Sequence, residues 1–211
     1  DTQIREIRTI LFEETIILGK ASIFFTTICI FVLIIALNMF DGFNGQSFLN
    51  FLIIFVFLGT RHLFNPLVYL ILFLLFIFAY LNFKNKIYLG DSGVYFLGFL
   101  ASYFLIKTYN FEHIIYVEEI IIILFIPIVD MVRLFFTRIY LGRNPFLPDT
   151  NHIHHLIYKK YGNKVIFFIS FLLFFPHVLL FFEINFYLVL FIQMTLYVLF
   201  VTKFNSAKYK S

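Results

Sequence analysis

Long apolar runs dominate the chain, and short polar stretches break them at intervals. Reading the breaks as membrane interfaces predicts helices at about residues 19–40, 47–61, 66–83, 92–109, 114–136, 164–182 and 184–202. Most of these approach the ~20 residues that cross ~30 Å of hydrocarbon. The second is short and ends toward a Gly59/Pro66 turn, while only Glu183 and Asn185 divide the last two, which demands a tight turn. Residues 1–18, with Glu13 and Glu14, are too polar to enter a bilayer and read as a short helix or loop outside it. The expected fold is all-α: a polytopic membrane bundle of about seven helices, residues 1–211 forming one domain, with loops at about 38–46, 84–91 and 138–163. The chain starts with Asp, not Met, and carries no signal peptide, so the expectation is the C-terminal part of a larger protein.

Composition agrees with the pattern. With 62% hydrophobic residues, 34 Phe and 13% charged residues, a soluble domain would have no place to hide its apolar surface. Cys29 is alone in mid-run, which excludes a disulfide frame and a cysteine metal site. The net charge of +4 does not point to nucleic acid, because the basic residues flank apolar runs and serve orientation instead. Placing the loops 38–46, 84–91 and 138–163 and the C-terminus on one side gathers eleven of the 16 Lys and Arg there. By the positive-inside rule that side is cytoplasmic. Acids sort the same way: all seven Glu fall toward the outer side, whereas Asp41, Asp91, Asp130 and Asp149 fall toward the cytoplasmic one. Short, stiff Asp at loop–helix junctions suits helix caps and Mg²⁺.

Three stretches on that side carry candidate chemistry. The first, Asn38-Met-Phe-Asp41-Gly-Phe-Asn44-Gly45, repeats a polar residue every third position, and its glycines let backbone approach a ligand; a plain capped turn fits as well. The second, Tyr88-Leu-Gly90-Asp91-Ser92-Gly93, opens a helix whose free N–H groups suit phosphate. Asp91 would repel bare phosphate, so this reading needs a bridging cation; the alternative is Asp91 or Ser92 as an ordinary N-cap. The third runs from Asp130 to His155 and is the longest stretch that could not sit comfortably in lipid. There Asp149 can cap a helix in which Ile153, Leu156 and Ile157 share a face, with His152 and His155 on one side and His154 off it. A zinc site lacks a third ligand at suitable spacing, so imidazoles meeting a diphosphate or sugar are the better reading. A pair with Arg133, one turn on, is the plain alternative to a functional role for Asp130, and His62, His113 and His177 read as structural.

Together the three stretches resemble the polyprenyl-phosphate N-acetylhexosamine-1-phosphate transferases, which belong to glycosyl transferase family 4. Asn38 to Gly45 resembles that family's Asn-x-x-Asp-Gly-x-Asp-Gly segment, and Tyr88 to Gly93 its Phe-Met-Gly-Asp-x-Gly segment. Pro127 to Asp130, Arg143-Asn-Pro-Phe-Leu-Pro-Asp149 and His152-Ile-His-His155 resemble the undecaprenyl-phosphate N-acetylglucosamine branch. The resemblance implies a multi-pass enzyme of the bacterial inner membrane with its site on the cytoplasmic face. There undecaprenyl phosphate attacks the β-phosphorus of a UDP-N-acetylhexosamine, giving polyprenyl-diphosphate-sugar and UMP in a first membrane step of cell-envelope polysaccharide synthesis. It implies Mg²⁺, with Mn²⁺ as the alternative ion, held by Asp91 and Asn38. Tyr88 would stack on uracil, Asn44 would read it, and Asp41 would support the nucleotide site. His152, His154, His155 and Arg143 would hold diphosphate and sugar. Expected partners are therefore the UDP-sugar, the lipid phosphate and the bilayer, with a homodimer allowed and no nucleic acid.

The chain departs from the family pattern in places. Asn44 stands where most members have Asp, Ile35 replaces a leading Asn, and Val94 replaces a Ser. No adjacent Asp-Asp pair, which the family uses toward the lipid phosphate, occurs in these residues, so these 211 residues alone are expected to lack lipid-phosphate activation and to be inactive by themselves. A family member that binds UDP-sugar or a partner without turnover is the second reading. A transporter fits less well, because the Asp residues cluster at loop ends rather than in mid-span.

Overall fold

The computed structural model describes residues 2–10, 15–61, 65–111, 115–145, 147 and 149–205. Among them lie two short strands, β1 (Glu6–Ile7) and β2 (Ile16–Ile17). Eight α-helices follow: α1 (Ser22–Met39), α2 (Gln46–Arg61), α3 (Pro66–Phe83), α4 (Gly90–Asn110), α5 (Val117–Tyr140), α6 (Ile153–Tyr161), α7 (Val165–Phe181) and α8 (Phe186–Asn205). The seven long helices stand within a few residues of the expected ones. The N-terminal stretch differs from expectation: it is an antiparallel hairpin pairing Glu6 with Ile17 and Ile7 with Ile16. Ser22 Oγ donates to the Ile4 carbonyl (2.7 Å), and the Ile4 N–H donates to Thr26 Oγ1 (2.8 Å), so the start of α1 anchors this segment. Glu13, Glu14, His62 and His113 lie outside the described residues.

Five segments are long and apolar enough to cross a membrane: Gly19–Met39, Pro66–Phe83, Val117–Tyr140, Ile153–Phe181 and Phe186–Phe204. Gln46–Arg61 is apolar but shorter, and α4 is diluted by glycine, serine and tyrosine. Of those two, α2 lies in the interior, packed on α3, α4 and α7, while α4 packs on α1 and α2 and leaves Tyr95, Phe96 and Phe99 exposed. Close approach of α1 and α4 depends on Gly98, where a Cβ would stand 3.2 Å from Ile34 Cγ1. The buried core is aliphatic and aromatic, with Leu37, Phe51, Phe55, Leu58, Ile122 and Ile126 almost fully enclosed. Outward-facing Phe24, Phe73, Phe96, Phe167, Phe181 and Phe191 are exposed, a surface suited to lipid and not to water. This is a polytopic helical membrane protein.

Helix ends follow local chemistry. Asn65 caps α3 by accepting from the Leu67 N–H (3.1 Å), and Pro66 takes the first position, where no N–H is needed. At α5 the Glu119 side chain turns back to the Tyr116 N–H (3.0 Å). The α7–α8 turn is as tight as expected: Glu183 takes a positive φ of 57°, and Asn185 accepts from the Tyr187 N–H (3.0 Å). Chain direction alternates through the bundle. The α1–α2, α3–α4 and α5–α6 connections therefore share one end, and the hairpin lies at the other.

Candidate functional site

The three connections at the shared end are tied together by side chains. Asn38, in the last turn of α1, donates from Nδ2 to Asp91 Oδ1 (3.1 Å) in the first turn of α4. Asn44 Nδ2 donates to Asn85 Oδ1 across the same gap. Buried Asn82, near the end of α3, accepts from the Gly45 N–H (2.8 Å) and donates to the Ile87 carbonyl (2.8 Å). One amide thus satisfies backbone from both loops. Gly45 is required twice over: its φ is +90°, and a Cβ there would stand 2.5 Å from the Phe83 ring.

The third connection joins through Gly42, where a Cβ would stand 2.2 Å from His154 Nε2. The His154 ring is buried, lies edge-on to Phe40 (centroids 5.4 Å apart) and meets Phe43 (6.3 Å). Its buried Nδ1 has no hydrogen-bond partner among the described residues. His152 stacks on His154 with planes 10° apart (5.4 Å), and His155, half-buried, meets His154 at 4.2 Å. Sequence spacing put His154 off the side shared by His152 and His155. The structure corrects this, because His152 precedes the helix with ψ 147° and helical periodicity does not reach it. Ile153, Leu156 and Ile157 do form the buried face.

Two further capping expectations change. Asp149 does not cap α6: its Oδ2 accepts from Arg138 Nε (2.8 Å) and its Oδ1 from the Asn151 N–H (2.7 Å), while His152 occupies the cap position. Burial works to raise the Asp149 carboxyl, but these hydrogen bonds and the Arg138 charge outweigh it and hold the group below its ordinary value. Asp91 is inside the first turn of α4, exposed, with Leu89 at the cap position and no side-chain cap bond. Asp41 is half-buried and accepts from Ser47 Oγ (2.5 Å). Burial pushes its carboxyl up against the Ser47 hydrogen bonds, and the Asp91 charge adds to the rise. Tyr88 is 68% exposed just before α4. Arg143 is exposed too: its N–H donates to the Arg138 carbonyl (2.8 Å), and no hydrogen bond or ion pair among the described residues links its guanidinium to the histidines.

Asp130 is the residue sequence reasoning undervalued. It is fully buried, and the expected pair with Arg133 is present (2.8 Å). It also meets His152 Nδ1 (2.8 Å) and accepts from Tyr197 Oη (2.8 Å) and the Ile153 N–H (3.2 Å). Arg133 in turn donates from Nε to Tyr197 Oη (2.8 Å) and from Nη2 to the Asn151 carbonyl (2.8 Å). The available signal was Tyr197, one of the few polar-tipped side chains, with Gln193 and Thr195, in the middle of the mostly apolar α8. Asn82, Asn85 and Ser47 were missed for a different reason, because each acts through a partner distant in sequence or in an adjoining loop.

The assembled end offers the carboxylates of Asp41 and Asp91, the amides of Asn38 and Asn44, the exposed Tyr88 and three crowded imidazoles. Among the described residues no three His, Cys, Asp or Glu side chains converge as a metal cage. Such a face can meet an anionic, hydrogen-bonding ligand with a flat ring.

Comparison with known proteins gives this face a family. The model for glycosyl transferase family 4 matches residues 1–109, which include the first two motif loops. Undecaprenyl-phosphate alpha-N-acetylglucosaminyl 1-phosphate transferase of Escherichia coli K12 is 30% identical over 155 residues, covering 68% of this chain and 42% of the relative. The Salmonella typhi protein of the same name is 30% identical over 156 residues, with the same coverage. That of Haemophilus influenzae is 34% identical over 77 residues, 36% of this chain and 22% of the relative. The chain thus spans about two fifths of the length of the enteric relatives. No solved structure matches. With over half its length matched by the family model and its motif loops brought together at one end, the chain belongs to glycosyl transferase family 4.

Proposed function

We propose that this end of the bundle transfers N-acetylhexosamine-1-phosphate from a UDP-sugar to undecaprenyl phosphate, with Mg²⁺, or Mn²⁺ in its place, on the cytoplasmic face of the bacterial inner membrane. The observation that carries the reading is the joint meeting of Asn38 with Asp91 and of Gly42 with His154, which brings three loops distant in sequence to one surface. A phosphate oxygen of the lipid attacks the β-phosphorus of the donor. The bond from that phosphorus to the bridging oxygen breaks, and UMP leaves with the electron pair. Such a transfer asks chiefly for positioning and charge neutralisation.

The residues present fit Mg²⁺ better than a cage-binding ion. Mg²⁺ keeps several waters and binds through one or two carboxylates plus substrate phosphates, which suits the joined Asn38 and Asp91, whereas zinc takes three or more protein ligands. When bound, the ion would neutralise diphosphate oxygens. Asp41, whose carboxyl is pushed up partly by the Asp91 charge, would be relieved by it and supports the nucleotide end. Tyr88 offers its exposed ring to uracil, and Asn44, braced by Asn85, offers an amide edge that both donates and accepts. His152, His154, His155 and exposed Arg143 would hold diphosphate and sugar.

Transfer of radiolabelled sugar phosphate from UDP-N-acetylglucosamine to undecaprenyl phosphate in membranes tests the activity. In a longer version that also supplies the family's Asp-Asp segment, Asp91→Asn should abolish it while leaving the protein folded; full transfer by that variant would sink the assigned role. Reporter fusions after Lys86 and Tyr161 should report cytoplasm, and those after Arg61 and Asn110 the opposite side. Any fusion on the wrong side would break the shared cytoplasmic face.

A further inference from the structure

The hydrogen bonds around Asp130 are more than a buried ion pair needs. Its two carboxylate oxygens receive Arg133 Nη2, Tyr197 Oη, the Ile153 N–H and His152 Nδ1, groups drawn from α5, α8 and the start of α6. With the Ile153 N–H, Arg133 and Tyr197 all donating, the carboxylate is a pure acceptor, so the His152 nitrogen facing it must carry hydrogen. That leaves Nε2 as the nitrogen not engaged by Asp130. The ring has little freedom to turn, being buried, stacked on His154 and fixed at Nδ1. The Arg133 bond to the Asn151 carbonyl holds the backbone just before it.

We propose that Asp130 is a positioning residue: braced by Tyr197 and Arg133, it fixes hydrogen on His152 Nδ1 and so reserves His152 Nε2 for the donor diphosphate-sugar. A partner on the far nitrogen commonly sets which nitrogen of an imidazole works. The inference rests on the proposed donor site for what Nε2 meets, but not for where the hydrogen sits. It also accounts for a carboxylate buried in the middle of α5, away from the helix end where the sequence pattern put it, with the Tyr197 hydroxyl of α8 turned to serve it.

Histidine ¹⁵N NMR of the protein in detergent, with the His152 signals assigned by their loss in His152→Gln, reads the hydrogen directly. Wild type should show Nδ1 protonated, and Asp130→Asn should lose that pattern, because the amide can donate to a bare Nδ1. A bare Nδ1 in wild type, or an unchanged pattern in Asp130→Asn, overturns the proposal. Binding separates the two readings. UDP-N-acetylglucosamine should weaken by about tenfold or more in His152→Gln and Asp130→Asn, and by less in Tyr197→Phe. UMP, read away from the histidines, should hold its affinity within about twofold in all three. If His152→Gln binds the donor normally, the donor-site reading of the histidines fails. If His152→Gln weakens it while Asp130→Asn and Tyr197→Phe do not, only the positioning role fails. Should Asp130→Asn not fold, the wild-type spectrum and Tyr197→Phe decide.

Discussion

The two ends of the bundle carry similar side chains put to opposite uses. At the hairpin end, acids and bases close on partners within the chain. Arg8 donates to the Tyr109 carbonyl and lies 4.4 Å over its ring, and Tyr109 Oη donates to the Glu6 carbonyl (3.1 Å). Glu118 accepts from the Ile10 N–H (2.8 Å), and buried Glu119 pairs with Arg61. These contacts staple the hairpin and α2 to the ends of α4 and α5. At the loop end, Asp91 and Tyr88 face outward, and three imidazoles crowd together where one would serve packing. Charge that is closed off internally fastens helices, whereas polar groups presented outward stay open to a ligand. Asp130 shows both uses in one residue, closed on three sides and turned toward His152 on the fourth.

Breaking the loop end should cost most. A Cβ at Gly42 meets the buried His154 ring at 2.2 Å, and that ring is hemmed in by Phe40, Phe43 and His152. Gly42→Ala should therefore cost about 1–3 kcal/mol of stability as an overpacking change and weaken UDP-N-acetylglucosamine binding by roughly tenfold. Thermal unfolding in detergent with a parallel binding titration checks both. Unchanged binding would show that the first and third loops need not touch.

At the hairpin end the expected effect is smaller and of a different kind. Arg61→Met leaves Glu119 buried without its cation, which is strongly destabilising when both partners are enclosed. Arg61 is 41% exposed and Glu119 keeps the Tyr116 N–H, so the loss should be about 1 kcal/mol. Nucleotide affinity of the folded protein should not move. A variant as stable as wild type, or one that loses nucleotide binding, would erase the distinction between the two ends.

Much of the fold was legible because apolar run length is set by the bilayer, and the seven long helices follow it. The hairpin was not, since Glu6–Ile7 and Ile16–Ile17 are too short to show a period of two. Within the site, residues inside contiguous motifs were readable: Asn38, Asp41, Asn44, Tyr88, Asp91, His152, His154 and His155 lie at the shared end. Residues acting through distant partners were not. Asp130 looked like a local pair with Arg133, and only folding brings Tyr197 and His152 onto it. The histidine order failed for a local reason, because α6 begins one residue after His152.

The most direct test of the account is a titration of UDP and CDP, with Mg²⁺, against the protein in detergent. A site that presents the Asn44 amide and the Tyr88 ring to the base should prefer UDP by at least about tenfold, ~1.4 kcal/mol. Asn44→Leu should lose that preference because the base edge would go unpaired. Equal affinity for UDP and CDP in the wild-type protein, or no binding of either, would contradict the claim that the open end of this bundle is a uridine nucleotide site.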